Sequence, residues 1–278
     1  MKLPQFYVDD IIKKAITEDI NYLDVTTDYL IEEDAVTTAY FVSKDDGVLC
    51  GIDIAMRVFE LLDEEISFDI QKKDGDYVKK GDIIATMQGR ATALLKGERT
   101  ALNLLQHLSG IATATNRCVK LCEGTNASVA ETRKTLPGLR ALQKYAVTVG
   151  GGKNHRYNLS DAAMLKDNHI DASGGIEKAV NKLRSKTGHM LKIEVEVRDF
   201  NELEQALRAG ADVIMLDNMS CEQMSEAVKI IAGRAKTEAS GNITLENIAE
   251  VAKTGVDVIS LGALTHSVKA FDISMKIK

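Results

Sequence analysis

The sequence predicts an α/β protein with an incomplete α/β barrel of about six to seven strands and an N-terminal α+β sandwich domain. In the C-terminal two-thirds, short apolar segments alternate with amphipathic helical segments, which is typical of a parallel sheet. A weak internal repeat, AGADVIMLD against TGVDVISLG, favours a closed or nearly closed barrel over an open sheet. Before these segments, Asp-Gly and Gly-Asp turns separate alternating segments, as in antiparallel strands.

The N-terminal α+β domain is predicted to span residues 1–106. Its strands are expected within TTAYFVSKDDGVLCG and ISFDIQKKDGDYVKKGDIIATMQG, with a helix between them from Ile52 to Leu62. The last residues, 267–278, are predicted to form a strand that returns to this domain.

A long helix from about Ala91 to Glu123 is predicted to join the two domains. Its apolar stripe consists of Leu94, Ala101, Leu105, Leu108 and Ala112. Arg99 lies opposite this stripe, so it should point away from its own core. A solvated arginine is the ordinary interpretation of such a position.

The catalytic barrel is predicted to span residues 107–266. Its strands are expected at 128–131, 162–166, 193–197, 212–216, 236–239 and 257–261. A complete barrel of this kind needs eight strands, so six predict an incomplete one. The helices between them are expected at 174–188, 200–210, 221–233 and 244–255, and three of these segments end in a glycine at the C′ position.

Charge is distributed unevenly along the chain. The protein has net charge −6, yet residues 131–169 carry seven Lys or Arg against three carboxylates. A local cationic region in an acidic protein suggests a polyanionic small molecule rather than a nucleic acid as the ligand. The N-terminus lacks the pattern of a signal peptide, and we expect a soluble, cytoplasmic protein with reduced cysteines.

The carboxyl ends of the predicted barrel strands are unusually polar, and barrel enzymes place their chemistry there. The residues at these ends are Glu131, Thr132, Arg133, Lys134, Lys166, Asp167, Asn168, His169, Asp217, Asn218, Ser240, Gly241, Asn242 and Gly262. Within 193–197, Glu194 and Glu196 share one face. Carboxylates inside a barrel are costly unless they meet cations or hydroxyls.

Five segments, in this order and at this spacing, closely resemble the quinolinate phosphoribosyltransferase family. They are ETRKTLPGLRALQKYAVTVGGGKNHR, MLKDNHI, IEVEV, IMLDN and EASGNI. The resemblance covers nearly the whole chain, including ERTALNLLQHLSG in the linking helix. It implies a transferase that joins quinolinate to phosphoribosyl pyrophosphate with Mg²⁺ and releases pyrophosphate and CO₂. The implied product, nicotinate mononucleotide, enters NAD biosynthesis.

The resemblance also implies roles for single residues. Quinolinate would be held by Arg133, His155, Arg156, Lys166 and, from the neighbouring subunit, Arg99. Phosphoribosyl pyrophosphate would be held by Thr132, Lys134, Ser240, Gly241, Asn242 and Gly262. Mg²⁺ or the ribose hydroxyls would be bound by Glu196 and Asp217. The implied assembly is a homodimer with shared active sites, and whether dimers associate into a hexamer stays open.

Several positions in the same region are expected to be bystanders. Glu194 is interpreted as a structural acid, and Arg140 and Lys144 as solvated surface residues. Gly150 to Gly152 should form a turn that presents the segment up to Arg156. Three other functions remain open: a nicotinate-type phosphoribosyltransferase without decarboxylation, a non-enzymatic anion-binding barrel, and a molybdenum-uptake-associated relative of this family, which would be expected to depart from the intact segment MLKDNHI.

Overall fold

Residues 3–278 are described by a computed structural model, in which the chain divides into two units. The first unit contains the chain up to Asn116 together with Thr135–Gly151 and Leu264–Lys278. The second unit contains Arg117–Lys134 and Gly152–Ala263. The first unit contains a four-stranded antiparallel sheet and a separate antiparallel pair of short strands, and the second unit contains a parallel sheet.

The N-terminal part of the chain alternates short helices with antiparallel strands. Its elements are α1 (Gln5–Asp19), α2 (Val25–Leu30), β1 (Val36–Ser43), β2 (Gly47–Val48), α3 (Ile52–Leu62), β3 (Ser67–Ile70), β4 (Tyr77–Val78), β5 (Ile83–Arg90) and α4 (Ala91–Leu121). The helix expected from Ile52 to Leu62 is confirmed. It begins where the Asp74 carboxylate accepts hydrogen bonds from the backbone N–H groups of Gly51 and Ile52.

The remaining elements alternate strand and helix, except that two successive helices follow the second strand. They are β6 (Ser128–Ala130), α5 (Arg140–Val149), β7 (Ala163–Leu165), α6 (Asp167–Ser173), α7 (Ile176–Arg184), β8 (Ile193–Val197), α8 (Phe200–Arg208), β9 (Val213–Asp217), α9 (Cys221–Ile231), β10 (Lys236–Ser240), α10 (Ile248–Lys253), β11 (Val258–Ser260), α11 (Ala263–His266) and β12 (Ile273–Ile277).

The sheet of the first unit has the strand order β12-β1-β5-β3, so the C-terminal strand pairs with β1. Alternate side chains of β1 are buried in the core of the unit, where the Phe41 ring lies 6.1 Å from the Phe59 ring. The apolar stripe of α4 is buried as predicted, including Leu94 and Leu105, while Arg99 is exposed. These contacts place the core of the unit between its sheet and the helices α3 and α4.

The second unit contains a parallel sheet of six strands in the order β6-β11-β10-β9-β8-β7. Every strand except β6 and β7 has a neighbour on both sides, and these two form the ends of the sheet. The expectation of an incomplete barrel is therefore confirmed. The observed strands agree with the predicted ones to within one residue at each end, because their apolar runs are short and bounded by turns.

The internal repeat has a structural counterpart at the amino ends of two strand pairs. The Asp212 carboxylate accepts a hydrogen bond from Ile193 N at 2.8 Å and forms an ion pair with Lys192 at 2.9 Å. Asp257 repeats this arrangement with Thr237 N at 2.9 Å and Lys236 at 2.6 Å. Each aspartate thus joins the start of its own strand to the start of the neighbouring strand.

Two helices end at the predicted glycines, whereas α7 ends at Arg184, four residues before Gly188, and α10 starts later than predicted. Gly210 and Gly255 have φ of +74° and +92° and follow α8 and α10. However, α10 begins at Ile248 rather than near Thr244. The Asn247 side chain accepts from Thr244 N at 2.8 Å, and this local bond competes with the helical hydrogen bonds.

Burial contradicts one surface expectation. Lys144 was expected to be solvated but is completely buried, and Arg140 is half-buried with its Nε donating to Thr135 Oγ1 at 2.9 Å. Most residues of α5 are buried, so the helix offers few solvent-facing positions for a lysine. The cysteines are free thiols. Among residues 3–278 no helix is long and apolar enough to cross a membrane.

Candidate active site

The carboxyl ends of the barrel strands meet along one edge of the parallel sheet. In the strand register, Asp217 at the end of β9 pairs with Ser240 at the end of β10. At the other side of the sheet, Ser260 pairs with Ala130, and the next residue, Leu261, donates its N–H to Ala130 O. The polar residues that follow these strands are therefore brought to a common edge, as predicted.

Two arginines at this edge lie close to each other. Burial lowers the pKa of Arg156, and the positive charge of Arg133 lowers it further. Arg156 is held by a hydrogen bond from Nη1 to Ala162 O at 2.8 Å, while Arg133 is exposed. Neither guanidinium forms an ion pair with a carboxylate in the described part of the chain. Two neighbouring cations that form no direct ion pair with a carboxylate make a site that attracts an anion.

The segment that carries Arg156 is placed by β6 and by the glycines before it. Gly150 ends α5, and Gly151 has φ of +93°, a conformation that glycine adopts without strain. The chain then runs beside β6, where Lys153 donates its N–H to Val129 O at 2.8 Å. The expected turn at Gly150 to Gly152 is thus present and leads directly to His155.

His155 lies between two buried carboxylates. Its Nε2 is 3.3 Å from Glu194 Oε2 and 3.3 Å from Glu238 Oε1. Glu194 belongs to β8 and Glu238 to β10, with β9 between them in the sheet. One ring reaches both glutamates only because all three side chains occupy the concave face of the curved sheet. The three side chains therefore lie inside the barrel.

Proton positions in this cluster follow from its contacts. His155 Nδ1 accepts the N–H of Arg156 at 2.7 Å, which assigns the ring proton to Nε2, facing the carboxylates. Burial lowers the pKa of His155, but the close contacts with the carboxylates of Glu194 and Glu238 outweigh this effect and raise the pKa to about 10. The backbone contact opposes this rise, because a protonated Nδ1 cannot accept a hydrogen bond. The Nε2 proton is present in either state.

The buried position of Glu194 beside Glu238 affects its protonation. Burial raises the pKa of Glu194, and the charge of Glu238 adds to this rise. The ligand atoms of the cluster lie within 4.8 Å of one another, so two unshielded carboxylates would repel by about 3 kcal/mol at an effective dielectric of 20. The Nε2–H of His155 lies where it offsets this repulsion.

Among residues 3–278, His155, Glu194 and Glu238 are the only such cluster with the residue types and spacing of a metal site. The Nε2–oxygen distances of 3.3 Å place the imidazole N–H between the two carboxylates, where it faces both.

Lys166 and Glu196 were expected to serve different ligands but contact each other. Lys166 immediately precedes α6, and its Nζ donates to Glu196 Oε2 at 2.6 Å. The Lys166 side chain is about half exposed, whereas that of Glu196 is mostly buried in β8. The partly exposed Lys166 ammonium therefore lies at the edge of the barrel, beside the mostly buried Glu196 carboxylate.

Asp217 belongs to a chain of side-chain hydrogen bonds that ends in the loop after β10. Asn218 Nδ2 donates to Asp217 Oδ2 at 2.8 Å, and Asn218 Oδ1 accepts from Asn242 Nδ2 at 2.9 Å. Gly241 packs so closely on Asn218 that a Cβ there would lie 2.3 Å from Asn218 Oδ1. The loop of Ser240, Gly241 and Asn242 is thereby tied to Asp217.

The other expected donor-site residues occupy separate turns of the same edge. Thr132 Oγ1 accepts from Lys134 N at 3.1 Å and so shapes the loop after β6, from which the exposed Lys134 side chain extends. Gly262 lies between β11 and α11. Arg99 belongs to the first unit, exposed on α4.

One residue of this site was missed from the sequence. Glu238 lies between Thr237 and Ala239 in a strand where all three are buried. The signal was available, because a glutamate inside a parallel barrel strand is the feature that singled out Glu194 and Glu196. Glu194, interpreted as a structural acid, contacts the same histidine.

Two family models together match most of the chain. Residues 24–109 match the N-terminal domain, and residues 111–276 the C-terminal domain, of quinolinate phosphoribosyl transferase. The chain is 48% identical over 260 residues to the probable nicotinate-nucleotide pyrophosphorylase (carboxylating) of Bacillus subtilis (strain 168), covering 94% of this chain and 90% of that protein.

Other relatives agree. A probable nicotinate-nucleotide pyrophosphorylase (carboxylating) of Methanocaldococcus jannaschii is 45% identical over 280 residues, covering 98% of this chain and 97% of that protein. The crystal structure of NadC from Streptococcus pyogenes superposes with a TM-score of 0.97 at 44% identity, covering 100% of this chain and 99% of that chain. This chain therefore belongs to the quinolinate phosphoribosyltransferase family.

Proposed function

We propose that this protein transfers the phosphoribosyl group of phosphoribosyl pyrophosphate to quinolinate and removes one carboxylate as CO₂. The products are nicotinate mononucleotide and pyrophosphate, which places the reaction in the de novo synthesis of NAD. The observation that carries this proposal is the pair Arg133 and Arg156, two adjacent guanidinium groups without a carboxylate partner. Quinolinate has carboxylates on adjacent ring carbons, and guanidinium groups bind planar carboxylates with two parallel hydrogen bonds.

The remaining cations and acids extend this site toward the second substrate. His155 and Lys166 complete the quinolinate site. Lys134 and the turns at 240–242 and 262 hold the phosphates of phosphoribosyl pyrophosphate, with backbone N–H groups as donors. Glu196 and Asp217 lie toward the ribose, where positive charge develops. Lys166, which donates to Glu196 in the free protein, turns to a substrate carboxylate on binding. The Glu196 carboxylate is then available for the ribose.

The chemistry needs no protein nucleophile. The lone pair of the pyridine nitrogen forms a bond to ribose C1 while the C1–oxygen bond breaks and pyrophosphate departs with its electrons. The ring nitrogen becomes positively charged. The bond to the neighbouring carboxylate then breaks, CO₂ leaves, and the electron pair on the ring carbon takes up a proton. The protein accelerates these steps by positioning and by neutralising charge.

Mg²⁺ is proposed as the cofactor, held by Glu196 and Asp217. The donors suit this ion, since Mg²⁺ prefers one or two carboxylates completed by substrate phosphates. Hydrogen bonds occupy Oε2 of Glu196 and Oδ2 of Asp217, and within residues 3–278 the other oxygen of each carboxylate has no hydrogen-bond partner. Bound there, the ion would neutralise the departing pyrophosphate.

The proposed assembly is a cytoplasmic homodimer in which Arg99 of one subunit reaches the quinolinate site of the other. The exposure of Arg99 supports this, because its helix buries the opposite face in its own core. Mixing Arg99→Ala with Arg133→Ala protein tests the assembly. Mixed dimers should contain one intact site, so activity should return toward a quarter of the wild-type value. Mixtures as inactive as either variant would contradict sharing.

The function itself is tested by incubating the protein with quinolinate, phosphoribosyl pyrophosphate and Mg²⁺ and measuring CO₂. Nicotinate replaces quinolinate in the control. CO₂ and nicotinate mononucleotide from quinolinate alone support the proposal. Mononucleotide from nicotinate without CO₂ would indicate the nicotinate-type transferase, and ligand binding without turnover would indicate an anion-binding barrel. Arg133→Ala should abolish quinolinate binding in a folded protein, and wild-type affinity would refute the assignment.

A further inference from the structure

The strongest unassigned feature of the molecule is the pair of buried glutamates around His155. Glu194 and Glu238 are 5% and 3% exposed, and both carboxylates face the same ring nitrogen. Burying two acids in a pocket proposed to receive a dianion raises the electrostatic cost of binding. Such a pair requires a compensating role, because apolar side chains on the same strands would fill the barrel without this cost.

The contacts of His155 indicate what the pair accomplishes. On one side of the ring, Nε2–H faces both carboxylates at 3.3 Å. On the other side, Nδ1 accepts the backbone N–H of Arg156 at 2.7 Å. The backbone N–H of His155 itself donates to Glu131 Oε1 at 3.1 Å. The ring is therefore held at both nitrogens, and through Nδ1 it fixes the backbone from which the Arg156 side chain departs.

We propose that Glu194 and Glu238 are positioning residues that hold the Nε2–H of His155 and thereby aim both His155 and Arg156 at the quinolinate carboxylates. This inference rests on the proposed function. Two acceptors on strands separated by β9 define the direction of the ring more tightly than one would, since a turn toward either carboxylate lengthens the contact with the other.

Two buried carboxylate oxygens of the pair, Glu194 Oε1 and Glu238 Oε1, have no hydrogen bond in the described part of the chain. Glu194 contacts the ring through Oε2, whereas Glu238 Oε1 faces Nε2 at 3.3 Å in an ion-pair contact. Arg156 is close enough for its charge to lower the pKa of Glu194, against the rise caused by burial. Glu194 therefore interacts with both His155 and Arg156, which are consecutive in the chain.

Isosteric substitutions test the proposal. Glu194→Gln and Glu238→Gln keep the shape of each side chain and remove its charge, which weakens the hold on Nε2–H. Each variant should raise the KM for quinolinate at least tenfold and change the KM for phosphoribosyl pyrophosphate less than threefold. Glu202→Gln makes the same chemical change in a largely buried α8 side chain that pairs with the half-exposed Arg198, and it is the matched control. It should leave both constants unchanged.

A second measurement is independent of turnover. A long-range ¹H–¹⁵N spectrum, with the His155 signals assigned by their loss in His155→Gln, should show Nε2 protonated in the wild type. In the double variant Glu194→Gln/Glu238→Gln these signals should shift and broaden as the ring becomes mobile.

The outcomes separate the two claims. A wild type that releases no CO₂ from quinolinate refutes the proposed function, and the histidine spectrum then decides alone whether the glutamates hold the ring. If the wild type is active, equal changes in both KM values or unchanged His155 signals in the variants would overturn the positioning role.

Discussion

Replacing Gly241 by alanine tests whether the loop after β10 depends on its close contact with Asn218. The glycine has φ of +92°, and a Cβ would lie 2.3 Å from Asn218 Oδ1 and 2.6 Å from its Cγ. Asn218 must then move, which breaks its bonds to Asp217 and Asn242.

The expected cost is the sum of two effects. A non-glycine residue in the left-handed region costs about 1–2 kcal/mol. Each lost hydrogen bond of exposed side chains costs about 0.5 kcal/mol, at the low end of the usual range. Gly241→Ala should therefore reduce the free energy of unfolding by about 2–3 kcal/mol, and lower the melting temperature by roughly 4–10 °C for a chain of this size.

Gly210 provides the matched control. Its φ is +74°, yet an added Cβ meets nothing within 4 Å. Gly210→Ala therefore includes the backbone cost without the collision. We expect thermal unfolding to show a smaller loss for Gly210→Ala, and steady-state kinetics to show a tenfold rise in the KM for phosphoribosyl pyrophosphate in Gly241→Ala alone. If both variants lose equal stability and keep the wild-type KM, the loop does not depend on this contact.

Two further predictions concern the first unit. Gly110→Ala places a Cβ 2.3 Å from the backbone oxygen of Lys269. The substitution should therefore reduce the free energy of unfolding by at least about 2 kcal/mol in a denaturant titration, although alanine normally favours a helix. Gly188→Ala, whose Cβ would meet open space, should leave the free energy of unfolding unchanged in the same titration. A hydrogen bond from Arg90 lowers the pKa of Asp63 to about 2, so this carboxylate stabilises the protein above pH 4 and the gain is lost as pH falls toward 2. Asp63→Asn should flatten that part of the stability profile, and an unchanged profile would contradict the assignment.

The barrel was predictable because its strands are short apolar runs between turn residues, and this pattern depends on neighbours in sequence. The positions of Arg133 and Lys166 at strand ends followed from the same pattern. The partner of Lys166 could not be predicted in this way. The contact between Lys166 and Glu196 joins residues thirty positions apart, and the direction of a long flexible side chain is not encoded locally.

Burial of polar residues was the least predictable property. Lys144 is charged and follows a turn, which favours a surface position, but α5 is covered on most sides. Glu238 was overlooked because the strand around it contains other polar residues, which hides the contrast that made Glu194 stand out. The error at Lys144 arises from neighbours contributed by distant segments, which a local pattern cannot contain, whereas Glu238 carried the same local signal as Glu194.

The aspartates at the amino ends of β9 and β11 have a consequence at the opposite rim. Side chains in a strand alternate between faces, so sliding a strand by one residue would turn its inward residues outward. Asp212 and Asp257 fasten each strand to its neighbour about five residues before the reactive edge. Substitutions in the loops at that edge should therefore leave the strand alignment intact, because the contacts that fix it lie at the opposite ends of the strands.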